Sequence, residues 1–437
     1  MKAIAILCCL LLLACASTSA QAPTPSGQAR PPEASGAVAE KLKALEERIR
    51  ALEAEVQSLR AAQAQSAPAP GMNASGPSAE APMAAPAAVT PAPTPTGSGQ
   101  AGAAQLPNYG GAAAMSKVLN PDISVIGNFL GAVGRNRVRQ LPVLNLSETE
   151  VGFQAIVDPY ARADIFISLT PEGVDVEEAY LTFTSLPGGL LAKVGKMRSA
   201  FGKVNTMHTH VLPWTDRPLV TENLLGGDEG LSDAGLSVSR IFAGPKELFL
   251  EATAQVYRGE AADVFATTRQ QDVTVVGHLR GYKDLSESTN LDLGFSYARG
   301  YNDAAPDLVT NLYGVDATLR WKPLRRAIYN SFIARTEFIW SNREEIPSRQ
   351  RAFGFYTSGE YRMNRRWTVG GRYDRSERAR EASLVDSGFS AILTYWPSEF
   401  SQVRGQYRFA RYAEKQDANE LRFQFLFVLG AHGAHPF

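Results

Sequence analysis

Between Pro121 and Phe437, polar and apolar residues alternate one by one through short segments parted by turn residues. From Asn290 to Ala298, Leu291, Leu293, Phe295 and Tyr297 fall on one side, with Asp292, Gly294 and Ser296 on the other. From Val309 to Lys322, Val309, Tyr313, Val315, Ala317, Leu319 and Trp321 oppose Thr310, Gly314, Asp316, Thr318, Arg320 and Lys322. A period of two belongs to extended strands, whose successive side chains point to opposite faces. About sixteen such segments are legible, near 122–133, 147–157, 160–169, 174–183, 190–197, 233–241, 246–257, 273–282, 289–299, 309–322, 328–340, 352–363, 366–375, 385–396, 400–409 and 420–431. A tilted strand crosses a bilayer in about 9–11 residues. The spacing leaves room for a short turn at one end and a longer loop at the other.

A soluble sandwich would alternate too, so the chemistry of the two faces decides. The polar faces repeat full charges: Arg162 and Asp164, Arg280 and Asp292, Asp316 and Arg320, Arg335 and Glu337, Arg372 and Asp374, Arg404 and Arg408. The apolar faces carry aromatics near strand ends, among them Tyr297, Trp321, Trp340, Tyr361, Trp367, Tyr395 and Tyr407. Charges lining a water-filled interior and aromatic girdles at two interfaces describe a membrane barrel. The expected fold is an all-β, about 16-stranded antiparallel transmembrane β-barrel over residues 119–437.

The remainder reads as accessory segments. Residues 1–22 form an export signal, with Lys2, an apolar stretch from Ala3 to Ala14 and an Ala20-Gln21-Ala22 cleavage site. Leu12-Leu13-Ala14-Cys15 also admits lipidation at Cys15. Residues 23–37 and the Pro/Ala/Gly-rich linker 63–118 lack periodicity and read as disordered. Across residues 38–62, Val38, Leu42, Leu45, Ile49, Leu52, Val56 and Leu59 recur at alternating spacings of 4 and 3. That is a coiled-coil seam, and it argues for an oligomer.

Composition narrows the function. The 44 Lys+Arg balance 44 Asp+Glu, which argues against a nucleic-acid partner. Cys8, Cys9 and Cys15 are the only cysteines, so the barrel region has no thiolate chemistry. No Gly-x-Ser-x-Gly, His-Glu-x-x-His or phosphate loop occurs, and a non-enzyme is expected.

Leu421, Phe423, Phe425, Phe427, Leu429 and Phe437 keep one parity to the last residue. A final strand ending in Phe resembles the assembly signal of bacterial outer-membrane barrels. The stretch from Val194 to Lys203, VGKMRSAFGK, resembles the strand end and Phe-Gly turn of phosphate-type porins. The chain as a whole resembles Gram-negative outer-membrane porins, nearest the sixteen-stranded phosphate-selective and sugar types with an N-terminal coiled coil. Its ending and Met207-His208-Thr209-His210 also look like a group labelled zinc-regulated outer-membrane receptors. The resemblance implies an outer-membrane location, contact with its lipid, a homotrimer, a periplasmic coiled coil and passive diffusion of small hydrophilic solutes. Two further readings are a zinc-related protein binding metal through loop and C-terminal histidines, and a barrel-anchored structural tether.

The longest gap between strands, about 198–232, is the candidate lumen loop. Lys193, Lys196, Arg198, Lys203, Arg280, Arg320, Arg335, Arg372, Arg404 and Arg408 are the candidate pore-lining cations. The strand-face charges, counted with Arg162, His278, Arg362, Lys193, Lys322 and Arg422 among the cations and Glu150 and Glu178 among the anions, give the lumen a slight cationic lean, from which anion preference is expected. No cofactor is expected beyond zinc at His208 and His210. These would need a third ligand, for which Asp216 or Glu222 is the sequence candidate. His432 and His435 complete the C-terminal histidine motif.

Overall fold

The computed structural model describes residues 121–261 and 263–430, together with Arg50. The expected export signal, spacer, coiled coil and linker lie outside the described residues, as do His432, His435 and Phe437.

Sixteen strands form. The first eight are β1 (Asp122–Arg135), β2 (Asn145–Asp158), β3 (Ala161–Thr170), β4 (Gly173–Leu186), β5 (Leu190–Arg198), β6 (Ser232–Ala243), β7 (Phe249–Tyr257) and β8 (Thr274–Ser286). The rest are β9 (Thr289–Tyr301), β10 (Val309–Trp321), β11 (Ser331–Arg343), β12 (Gln350–Arg362), β13 (Trp367–Glu377), β14 (Val385–Ser398), β15 (Ser401–Arg411) and β16 (Asp417–Gly430). Each pairs antiparallel with the next, and β1 closes on β16 from Ser124 opposite Gly430 to Arg135 opposite Asn419. Closure removes the unpaired edges that an open sheet would present.

The polarity of the wall is reversed relative to a soluble protein. Along β16, Leu421, Phe423 and Phe425 are 40%, 47% and 43% exposed, whereas Glu420, Arg422 and Gln424 are 4%, 5% and 2% exposed. The outside is apolar and the inside is charged, the architecture of a transmembrane β-barrel.

Aromatics mark both rims of the apolar band. Tyr297, Tyr313, Trp340 and Phe353 run across β9 to β12 at one level. Phe332 and Tyr361 pair across β11 and β12 at another, and the Trp367 ring lies 4.6 Å from that of Tyr395, tilted by 37°. The eight steps from Phe332 to Trp340 span about 26 Å of strand, or roughly 20 Å of height at a tilt near 40°.

Short connections such as 159–160, 287–288 and 399–400 lie at the end carrying residues 122 and 430, called here the terminal end. The opposite end carries 136–144, 258–273 and the longest connection, 199–231.

Candidate functional site

The 199–231 connection turns into the barrel. Gly202 sets the direction: its φ of +62° is left-handed, and a Cβ there would come within 3.0 Å of the Glu337 carboxylate. Phe201 is fully buried, and a Cβ on Gly314 of β10 would meet its ring at 3.0 Å. Irregular backbone inside a barrel must find partners for its N–H groups. The charged and polar wall supplies them. Ala200 donates to Gln255 (2.7 Å), Gly202 to Ser296 (2.9 Å), Lys203 and Val204 to Glu337 (2.5 and 2.7 Å), and Thr215 to Gln406 (2.9 Å). The short helix α1 (Leu219–Leu224) packs against β11 to β14. Leu212, Trp214, Val220 and Leu224 bury together in the lumen, and Trp214 meets Tyr356 edge-on at 5.3 Å.

Asp216 anchors the loop to the far wall. Its carboxylate lies 3.0 Å from Arg372 Nη2 of β13 and 3.6 Å from Arg422 Nη1 of β16, accepts from Gln406 at 2.6 Å, and pairs with Arg408 of β15. Burial alone would raise its pKa, but the three guanidiniums hold it well below the usual carboxylate range. Arg372 also lies 4.8 Å over the Trp214 ring and donates to Asp374. Arg404 donates to the carbonyls of Leu212 and Trp214 and to Gln424.

A second node joins the loop to β2 and β4. The pairing of β3 with β4 shifts register between Phe166 and Ile167, so that Phe166 faces Glu178 while Ile167 faces Val176. Glu177 is the extra residue. This bulge brings Glu177 and Glu178 to the same imidazole, a re-aiming that regular alternation forbids. His208 Nδ1 lies 2.6 Å from Glu150 and 3.0 Å from Glu177, and its Nε2 lies 2.8 Å from Glu178. Burial pushes the His208 imidazole down, but these carboxylates win and lift it well above its ordinary value. His210 Nδ1 lies 3.6 Å from the same Glu150 oxygen. Arg198 binds Glu177 at 2.8 Å.

A third group gathers cations on one carboxylate. Arg280 lies 2.7 Å, Arg320 3.6 Å and Lys203 3.8 Å from Asp292. Burial and the nearby Arg280 lower the Lys203 pKa.

Below the loop, toward the terminal end, opens a cavity of about 1080 Å³. Arg335 in its wall is paired with Glu360 at 2.5 Å, and Arg404 is committed to the loop. Lys322, Arg362, Arg365 and Arg366 then face a single further lining carboxylate, Glu399. Among the described residues none of these four cations is in an ion pair. Burial, then the surrounding Arg320, Arg362 and Arg335, push the Lys322 ammonium down.

The ten expected pore cations therefore divide. Lys203, Arg280, Arg320 and Arg335 reach the lumen, each beside a carboxylate, and Lys193 lies 4.2 Å over the Tyr180 ring. Arg372, Arg404 and Arg408 face inward as their parity predicts, while Arg198, although it shares the parity of Val194 and Lys196, turns in at the strand end to Glu177; the loop covers all four and they hold it in place. Lys196 is a correction: it shares the parity of Val194, which is exposed on the outside, and pairs with exposed Asp175 at 3.2 Å. Asp216 and Glu222 are also corrected as metal ligands. The first is taken by arginines and the second pairs with Arg139. Glu148, Glu150 and Glu177 stand near the histidines instead, and Glu177 has a sequence signal. After Val174-Asp175-Val176, two consecutive glutamates break the alternation.

No family model matches the chain. An uncharacterized protein of Aquifex aeolicus (strain VF5) is 30% identical over 387 residues, covering 74% of this chain and 81% of its own length. The chain belongs to that protein's family. Solved structures with a similar backbone include OmpT, an outer membrane protein of Vibrio cholerae, at a TM-score of 0.48, 9% identity and coverage of 71% of this chain and 97% of that one. The outer membrane channel DcaP of Acinetobacter baumannii gives 0.48, 12%, 71% and 96%. Salmonella typhi OmpF gives 0.48, 10%, 72% and 99%.

Proposed function

We propose that the chain is an outer-membrane porin: a passive channel for small hydrophilic solutes, with a preference for anions, narrowed by residues 199–231. The observation that carries this reading is the reversed polarity of a closed barrel whose interior is crossed by a loop bound to the wall on both sides. The apolar exterior suits hydrocarbon and the charged interior suits water. Selectivity then comes from the charges a solute must pass. The four unpaired cations of the vestibule concentrate anions at one mouth of the barrel. The wider reading places the barrel in a Gram-negative outer membrane as a homotrimer, with residues 38–62 in the periplasm. Neither catalysis nor an energy source is part of it.

Reconstitution in planar bilayers tests the proposal. Stepwise, ohmic conductance is expected, and a KCl gradient should give a reversal potential of the sign set by chloride. Folded protein that produces no steps would end the channel reading, and a potassium-selective sign would end the anion preference.

A further inference from the structure

We infer that His208, His210 and Glu150 form a binding site for a first-row divalent metal ion of the zinc type, fastening the lumen loop to β2. The site does not depend on whether the barrel conducts. The donor atoms of these three residues all lie within 4.8 Å of one another. Glu150 Oε2 is 2.6 Å from His208 Nδ1 and 3.6 Å from His210 Nδ1. Ligands of a tetrahedral zinc sit about 3.3 Å apart, as bond lengths near 2.0–2.1 Å require. The observed spacings bracket that value, so small side-chain shifts would close the set around an ion. Glu177, 3.0 Å from His208 Nδ1, is placed for the fourth position.

Three independent features support an ion there. First, the other ring nitrogen of His208 lies 2.8 Å from Glu178. A carboxylate on the outer nitrogen of a ligating imidazole fixes its tautomer and raises its basicity. Second, carboxylates crowd the histidines: donor oxygens of Glu148, Glu150 and Glu177 also lie within 4.8 Å of one another. Glu148, Glu150, Glu177 and Glu178 gather here, with Arg198 and Arg217 as the nearby guanidiniums. Third, the site has a way in: His210 lines the 1080 Å³ vestibule. A mixed imidazole and carboxylate set favours zinc and its neighbours over calcium or magnesium, which prefer oxygen ligands alone.

The test uses the full chain refolded in detergent and stripped with EDTA. Zinc chloride is titrated against a chromogenic chelator, and cobalt(II) is used as a spectroscopic probe. One zinc per chain is expected. Binding should weaken at least tenfold in Glu150→Gln and in His210→Gln, and about tenfold in Glu178→Gln, which removes only the partner of a ligand. The double variant His432→Ala/His435→Ala should bind as the unaltered chain does. Cobalt in the unaltered protein should give the intense visible absorption of a tetrahedral site. Three results would each overturn the proposal: no stoichiometric zinc, unaltered affinity in Glu150→Gln and His210→Gln, or an octahedral cobalt spectrum. If a loop variant fails to fold, the cobalt spectrum of the unaltered chain and the C-terminal double variant still decide. Loss of zinc in that double variant would place the ion at the C-terminus and end the proposal.

Discussion

Replacing Asp216 by Ala should raise single-channel conductance severalfold and make it noisy. The reason lies in what the carboxylate leaves behind. Arg372 keeps Asp374, and Arg422 keeps Glu420 at 3.0 Å. Arg408 keeps nothing: Asp216 is its one ion pair among the described residues, and its Nε and Nη2 have no hydrogen-bond partner. Removing one partner of a buried pair costs about 3–5 kcal/mol, because the other charge stays buried alone. The cheapest relaxation is local. The segment around Trp214 lifts from β13 and β15, water reaches Arg408, and the lumen widens. Asp216→Asn, which retains shape and one carbonyl, should fall between. A second substitution, Arg408→Leu, in the Asp216→Ala background removes the stranded charge. It should restore part of the lost stability and quiet the channel. Conductance of Asp216→Ala indistinguishable from that of the unaltered chain would show that this contact does not hold the constriction.

The second large effect is on ion preference. Reversing Lys322, Arg362 and Arg365 together to Glu should switch the sign of the reversal potential in a KCl gradient. These residues line the vestibule without ion-pair partners among the described residues, so their charge is available to passing ions. Reversal turns an excess of cations into an excess of carboxylates at the mouth every solute crosses. The effect should be largest in dilute salt and shrink toward 1 M, where the Debye length falls to about 3 Å. The same reversal at Arg372, Arg404 and Arg408 is not an equivalent experiment, since those side chains hold the loop. A preference left unchanged by the vestibule triple would place selectivity elsewhere in the lumen.

Much of the barrel is legible in the chain because one interaction dominates each residue. On a wall with lipid outside and polar partners inside, a one-residue slip turns every side chain to the wrong medium, so alternation and register are written together. That is why all sixteen strands could be placed within a few residues of their observed bounds. Differences of three or four residues arise where the pattern stops speaking, as at β11, which begins and ends three residues beyond its expected 328–340. At Pro245–Glu247 a 3₁₀ turn delays β7 to Phe249, and β8 runs on to Ser286 past its apolar core.

The lumen is less legible, for a physical reason. Parity states which way Arg372, Arg404 and Arg408 point. It is silent about what lies opposite them, because their partners Leu212, Trp214 and Asp216 come from far along the chain. Sequence alone therefore reads them as free pore charges, when they are the grip on the loop. Lys196 fails differently: near the strand end its parity follows Val194 to the outside. The break in alternation at Glu177 and Glu178 is visible in the sequence, but not which imidazole the bulge brings them to. His208 and His210 were visible as a pair, but the carboxylate that joins them, Glu150, lies on a distant strand.

The claim on which all of this rests is that the apolar side of the wall meets lipid while the polar side faces inward. Spin labels placed one at a time from position 420 to 426 of β16, in a chain with Cys8, Cys9 and Cys15 replaced by Ser and inserted in lipid vesicles, test it directly. Oxygen, which concentrates in the bilayer, should relax the labels strongly at positions 421, 423 and 425 and weakly at 420, 422, 424 and 426. Accessibility without a period of two, or with its maxima at the even positions, would contradict the membrane barrel.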